Sequence, residues 1–360
     1  MASLANWLVQ MGVTEPVQLL NLSNPGQGTV ELLNDANTSW NWSDLEAILA
    51  LAQGPLAERV ISGVAVNWAT NFANRSSEVG GIEANNLKPL FEGVFGAGAV
   101  ESHPINHYLR DGLTFPANTA WALSPVTRYA STVAGTFSAD FGYGDASVDN
   151  HHRAREQWRA YADANPSIIA VTGPDLPDLD MRNTGGSGEG GPHQNNTSDE
   201  GNPRTMRRVV EAALSAAGRL ARGKASITGA SINAARTQIT VTVTLRNGGT
   251  LQTGWATKGV AVPVGATTVQ LFAVRDGAAG SHVRDTFTAE VLDAAAGTVL
   301  LTKTSGAWAA GTGVRYGHGG PGSFGLTPET DRLFHGALYE SGPDEGGLGL
   351  PVTTGWSATL

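Results

Sequence analysis

The chain has 360 residues, 41% of them hydrophobic and 15% charged, with a formal net charge of -9 and no cysteine. That length exceeds what one hydrophobic core usually serves, so two domains are expected. The acidic balance argues against a nucleic-acid backbone or an anionic membrane surface as main partner, and the lack of thiols excludes disulfides, thiolate zinc sites and a cysteine nucleophile.

In chain order, residues 3–12 read as a short helix with Leu4, Trp7, Leu8 and Met11 on one face. Met1 to Gln10 has no basic n-region, so no signal peptide is expected, and no apolar run reaches the roughly 18 residues of a membrane span. Val17 to Leu22 fits a buried strand, closed by the turn Asn24-Pro25-Gly26-Gln27-Gly28. Ser43-Asp44-Leu45-Glu46 is a capping box opening a helix with Leu45, Ile48, Leu49 and Ala52 at helical spacing, and Gly54-Pro55 stops it. Val60 to Trp68 is again strand-like. Strand, helix, strand repeated implies a parallel sheet with flanking helices. Residues 70–150 are rich in Gly, Asn and Ser and imply long loops.

His151 to Ala164 returns to a helical period, and Ser167 to Thr172 reads as a third buried strand. Gly173 to Gln194 is a long loop holding the run Gly185-Gly186-Ser187-Gly188-Glu189-Gly190-Gly191, a length usual for a lid or binding segment. A helix capped by Thr205 follows, with Met206, Val209, Val210, Ala213, Leu214, Ala217 and Leu220 as its apolar stripe. The short basic run Arg204 to Arg208 at its start reads as solvated. From Ser226 the pattern switches to period two, clearest in Gln238 to Leu245, with Asn247-Gly248-Gly249 as a tight turn. Further strands are expected at Thr268 to Val274, Thr286 to Leu292, Thr298 to Thr302 and Gly313 to Tyr316, giving an antiparallel β-sandwich. The stretch from Gly317 is Gly-rich and reads as irregular. The expected division is therefore an α/β domain over 1–224 and a β-sandwich module over 225–360.

Few residues offer chemistry. His103 and His107 are four apart, but Pro104 stands where a zincin has Glu, and His151-His152 point opposite ways on a helix. No metal and no cofactor are expected. Asn24 to Gly28 lacks the third glycine of a dinucleotide fingerprint. Nine tryptophans are many for this length. Core packing is the ordinary reading for Trp68 and Trp121, although an exposed indole stacks on sugar rings.

Gly190-Gly191-Pro192-His193, after the last α/β strand and before the last helix, resembles the histidine loop of SGNH (GDSL-like) hydrolases, in particular phage and bacterial relatives of carbohydrate O-acetylesterases. Residues 153–222 resemble that family throughout. Val17 to Gly28 is similar to its second strand and oxyanion block, and Val64 to Asn71 occupies the place of its third. Arg315-Tyr316-Gly317-His318-Gly319, the Asn-Gly-Gly turn and the segment Gly336 to Val352 resemble the β module that follows such domains. The resemblance implies an SGNH-hydrolase-like parallel sheet with flanking helices, His193 as the catalytic base of any active form, and Gly28 and Asn71 as oxyanion donors. Trp68 and Glu189 join these as binding candidates. The family's Gly-Asp-Ser block would precede the part matched to residues 3–22, and no Gly-Asp-Ser occurs in the chain. The residue three before the histidine, normally acidic, is Gly190, with Glu189 one further back.

A triad without its nucleophile loses most of its rate enhancement. The expectation is therefore a carbohydrate-binding protein on a degenerate esterase scaffold, leaning away from enzyme activity. It would be a spike or fibre of a phage-like particle such as a gene transfer agent, at the particle surface. Cell-surface polysaccharide and other particle subunits are the expected partners, with homo-oligomers and without nucleic acid or membrane insertion. The alternatives are an active carbohydrate O-acetylesterase, whose serine comes from an unassigned position or a partner chain, and a purely structural particle component.

Overall fold

The structure, a computed structural model, describes residues 9, 12, 63–66, 120–123, 130–131, 156, 159, 163, 169–171, 190–191, 207–208, 211–212, 214–215, 223, 225–253, 269, 271–280, 282–283, 286–317, 338–341 and 350–360. Val9 is helical, and Gly12, at φ 82°, donates to the Val9 carbonyl at 3.0 Å, as a left-handed glycine does at a helix end.

Among the described residues, five short strands precede residue 200. They are β1 (Gly63–Val66), β2 (Ala120–Leu123), β3 (Ala130–Ser131), β4 (Ile169–Val171) and β5 (Gly190–Gly191). β2 lies between β1 and β4, and both pairings are parallel. β1 and β4 fall inside the expected apolar runs. β2 lies in the segment read only as loops, and its residues Ala120-Trp121-Ala122-Leu123 are too few to show a period. β3 pairs antiparallel with β5.

Among the described residues ten strands follow: β6 (Ser226–Ile232), β7 (Gln238–Thr244), β8 (Leu251–Thr253), β9 (Phe272–Arg275), β10 (Phe287–Asp293), β11 (Thr298–Lys303), β12 (Gly313–Tyr316), β13 (Leu338–Glu340), β14 (Leu350–Pro351) and β15 (Trp356–Thr359). They form a four-stranded sheet in the order β10-β11-β7-β6 and two three-stranded sheets, β15-β12-β9 and β14-β13-β8, with antiparallel pairings throughout.

Period two sets the inner faces. Ile239, Val241 and Val243 of β7 are buried, while Gln238, Thr240, Thr242 and Thr244 alternate with them. Cross-strand partners continue the apolar rows, Ala289–Leu301–Ile239 and Val291–Val299–Val241. These side chains join Phe272, Val274, Val314, Tyr316, Leu338, Tyr339 and Trp308 in one core drawn from all three sheets. Each fully buried Val, Leu, Ile or Phe contributes about 1.5–3 kcal/mol.

The expectation of an irregular tail after Gly317 is corrected here. β13, β14 and β15 all lie in that stretch, β15 pairs with β12, and β13 joins β8 to β14. Thr353 donates from its backbone N–H to the Ala225 carbonyl at 3.0 Å and bridges Ser226, tying the tail to the start of β6. The tail's strands are two to four residues long, and glycine-rich connections hide such short pieces from a periodicity reading.

The Asn247-Gly248-Gly249 turn is present, with Gly248 at φ 72°. Its anchor is Glu340, 1% exposed. The Glu340 carboxylate accepts from the Arg246 N–H at 3.0 Å to each oxygen, from the Asn247 N–H at 2.6 Å, from Asn247 Nδ2 at 3.1 Å and from the Gly249 N–H at 3.3 Å. Donors converging on one carboxylate make its burial tolerable.

Candidate functional site

The terminal residues of the parallel strands stand level. Val66 pairs with Leu123, and Leu123 with Val171, so β1, β2 and β4 end on one row. The segments that follow all leave from that carboxyl edge, where open parallel sheets bind ligands. Trp68 and Asn71 follow Val66 by two and five residues. β3 begins seven residues after Leu123, and the segment after Val171 runs to Glu189, β5 and His193. Gly28, Trp68, Asn71, Glu189 and His193 themselves lie outside the described residues. Trp121 is placed on the central strand, paired with Val64 and Ile169.

The β3–β5 ribbon joins two of these departing segments. Ala130 is the partner of Gly191, and Ser131 the partner of Gly190. Pro192 has no N–H to donate and cannot extend the ladder on that side. Ser131 belongs to no motif of the sequence. Its signal is only the register, which no local pattern announces.

A second feature overturns an expectation. Arg208, read as part of a solvated basic helix start, is 1% exposed, and Glu211 one turn later is 2% exposed. Arg208, Glu211 and Ala212 are buried, and so is Leu214 of the expected apolar stripe, at 4% exposed. Arg207 is only half-buried. Charge at a helix start reads as surface by default, so a buried Arg–Glu stripe is invisible to a hydrophobic pattern.

The helical residues before β4 touch the β module. The Ser357 hydroxyl donates to Glu156, and the Arg159 guanidinium donates to the Ile227 carbonyl. Arg159 also lies 3.6 Å from Asp163, one turn on. Strands β6 and β15 therefore receive a helix from the N-terminal region.

At another edge of the module, Lys303 Nζ sits 2.5 Å from Asp276 and 5.9 Å from the Trp308 ring centroid. Asp276 also accepts from the Ala309 N–H at 2.7 Å. The Lys303 hydrogen bond, then the Ala309 N–H, hold the Asp276 carboxyl below the usual carboxylate range, against a smaller opposing effect of burial. Arg236, a non-glycine at φ 55°, donates to the carbonyls of Trp308, Ala309 and Leu360 and pins the same loop. These contacts are mutually satisfied and serve to fix the loop.

Among the described residues no group of three or more His, Asp or Glu could hold a metal ion, and no helix is long and apolar enough to cross a membrane.

No family model matches the chain, and no curated protein matches it. Among solved structures it is similar to a carbohydrate acetylesterase from Xanthomonas citri, at 13% identity and a TM-score of 0.41, over 84% of this chain and 52% of that one. The chain thus spans about half the length of that enzyme.

Proposed function

We propose that this chain binds acylated cell-surface polysaccharide on an esterase-like scaffold, as a spike or fibre protein of a phage-like particle. The observation that carries the reading is the level row Val66–Leu123–Val171. Every segment bearing a candidate residue after residue 60 leaves the sheet from that edge. Trp68 supplies an aromatic platform for a sugar ring, Asn71 a side-chain amide, and Glu189 and His193 polar groups on a glycine-rich loop. Such a set suits hydroxyl and ester groups better than phosphate, in keeping with the net charge of -9. The β module supplies a second face, for sugar or for neighbouring subunits in a symmetric assembly.

Retention on purified polysaccharides tests the proposal. Binding is expected at roughly micromolar strength per site, rising with the number of sites engaged, and Trp68→Ala is expected to weaken it at least about ten-fold. Failure to be retained on any host polysaccharide would sink it.

A second reading, ester hydrolysis, is favoured by one observation. The register of β3 brings a serine to the strand that leads into His193.

A further inference from the structure

We propose that the β module carries a site for the carboxylate of an acidic, uronate-type sugar, formed by Arg275 and His282 over Gly313. The inference rests on the polysaccharide reading above and deepens it by naming the class of sugar.

The case begins with the register of β9. On one side Arg275 is the cross-strand partner of Gly313, and Gly313 of Thr359. On the other side Val274 and Val283 exchange both backbone hydrogen bonds, at 2.8 and 3.0 Å, in an antiparallel bridge. The next pair along is Arg275 with His282, a non-hydrogen-bonded pair whose side chains stand close on one face. His282, Arg275, Gly313 and Thr359 therefore form one row across the sheet. Phe272, Val274, Val314 and Tyr316 belong to the core on the opposite face.

The two polar heads meet at the glycine. A Cβ on Gly313 would stand 3.1 Å from His282 Nε2 and 3.2 Å from Arg275 Nη2. A glycine inside a strand marks a close approach, and here it lets a guanidinium and an imidazole lie against the backbone. Both side chains are half-buried, and the exposed Thr359 places a hydroxyl on the same row. The one hydrogen bond of Arg275 runs from Nε to the Gly277 carbonyl at 3.1 Å, and among the described residues no carboxylate pairs with it. The Nη groups are thus aimed without a counter-charge. Their support is firm: the Gly277 N–H donates to Thr312 Oγ1 at 3.3 Å, and Asp276 is held by Lys303 and by the Ala309 N–H. A fixed guanidinium fork matches the planar geometry of a carboxylate. The imidazole adds a donor when Nε2 carries its proton, and the Thr359 hydroxyl suits a sugar hydroxyl beside the acid group.

The test uses the full chain and immobilised polyglucuronate. Reducing the carboxyl groups of that polymer to alcohols is expected to weaken binding at least about ten-fold, as the loss of a charge-assisted pair does. Arg275→Lys keeps the charge and loses the fork, and is expected to lose a similar factor; His282→Ala is expected to lose about three-fold. Free glucuronate is expected to compete, and inorganic phosphate at equal ionic strength is expected not to. Equal binding of the wild-type chain to the polymer and its reduced form would overturn the proposal whatever the variants do. So would binding indifferent to Arg275→Lys, or phosphate competing as well as glucuronate. A chain that ignores polyglucuronate but is still retained on host polysaccharide would overturn it too, and would leave the binding reading standing. Retention on no polysaccharide at all would remove both.

Discussion

Glu340 is a charged group with almost no solvent contact, and its carboxylate is held by the N–H groups of the turn at residues 246–249. Replacing it with Gln keeps the shape, removes the charge and turns an amide NH2 toward N–H donors. The expected loss is about 1.5–3 kcal/mol, the range for hydrogen bonds to charged groups, read as a lower midpoint in urea unfolding. Asp276 differs because its side chain is half exposed. Its folded-state pKa lies below the ordinary value, held there by Lys303 and then by the Ala309 N–H. A depressed carboxylate stabilises the fold above its unfolded pKa, about 3.9, and that contribution is lost as pH falls through the folded value. Solvent screening limits it to less than about 1 kcal/mol. Asp276→Asn is expected to lower stability slightly at neutral pH, with the difference from wild type disappearing in strong acid and shrinking in high salt. A difference that grew on acidification would contradict the assignment.

At the scale of elements, the turn between β10 and β11 depends on one glycine. Gly297 has φ 67°, and a Cβ there would stand 2.3 Å from the Val243 carbonyl oxygen. The Gly297 carbonyl accepts from the Val243 N–H at 2.7 Å, so the approach is part of the sheet. Gly297→Ala adds a left-handed strain of about 1–2 kcal/mol to that overlap. A total loss above about 2 kcal/mol is expected by thermal unfolding, and Gly248→Ala, with nothing within 4 Å of the added Cβ, is expected to cost only the strain. β7 and β11 were legible in the sequence because one face is buried and the other is threonine-rich, which makes the alternation explicit. β2, β3 and β5 were not, since two to four residues carry no period. The strands of the tail were hidden by the glycines between them. Of the candidate site the sequence offers the motif of the loop before His193, while the pairing of Ser131 with Gly190 is a register set by tertiary structure. Arg208 and Glu211 were missed because a charged helix face is ordinarily a solvated one.

For the molecule as a whole, the question is what joins the helical residues before β4 to the β module. Arg159 takes part in two interactions of different worth. Its pair with Asp163 is local to one helix, in the less favourable order with the cation first, and Asp163 is 71% exposed. Such a pair contributes under about 0.5 kcal/mol. Its bond to the Ile227 carbonyl joins residues 68 positions apart, and the Arg159 side chain is only 11% exposed. Removing a buried charged donor leaves the carbonyl without that partner, at about 1.5–3 kcal/mol. Asp163→Ala is therefore expected to be nearly silent, while Arg159→Ala destabilises the chain and raises hydrogen exchange at the start of β6. If the Glu156–Ser357 contact belongs to the same seam, a double-mutant cycle between Glu156→Ala and Ser357→Ala yields a coupling of about 0.5–1.5 kcal/mol. Equal effects of Asp163→Ala and Arg159→Ala would show instead that Arg159 serves its own helix. The β module would then be held to the N-terminal region by the chain connection and by contacts other than this guanidinium.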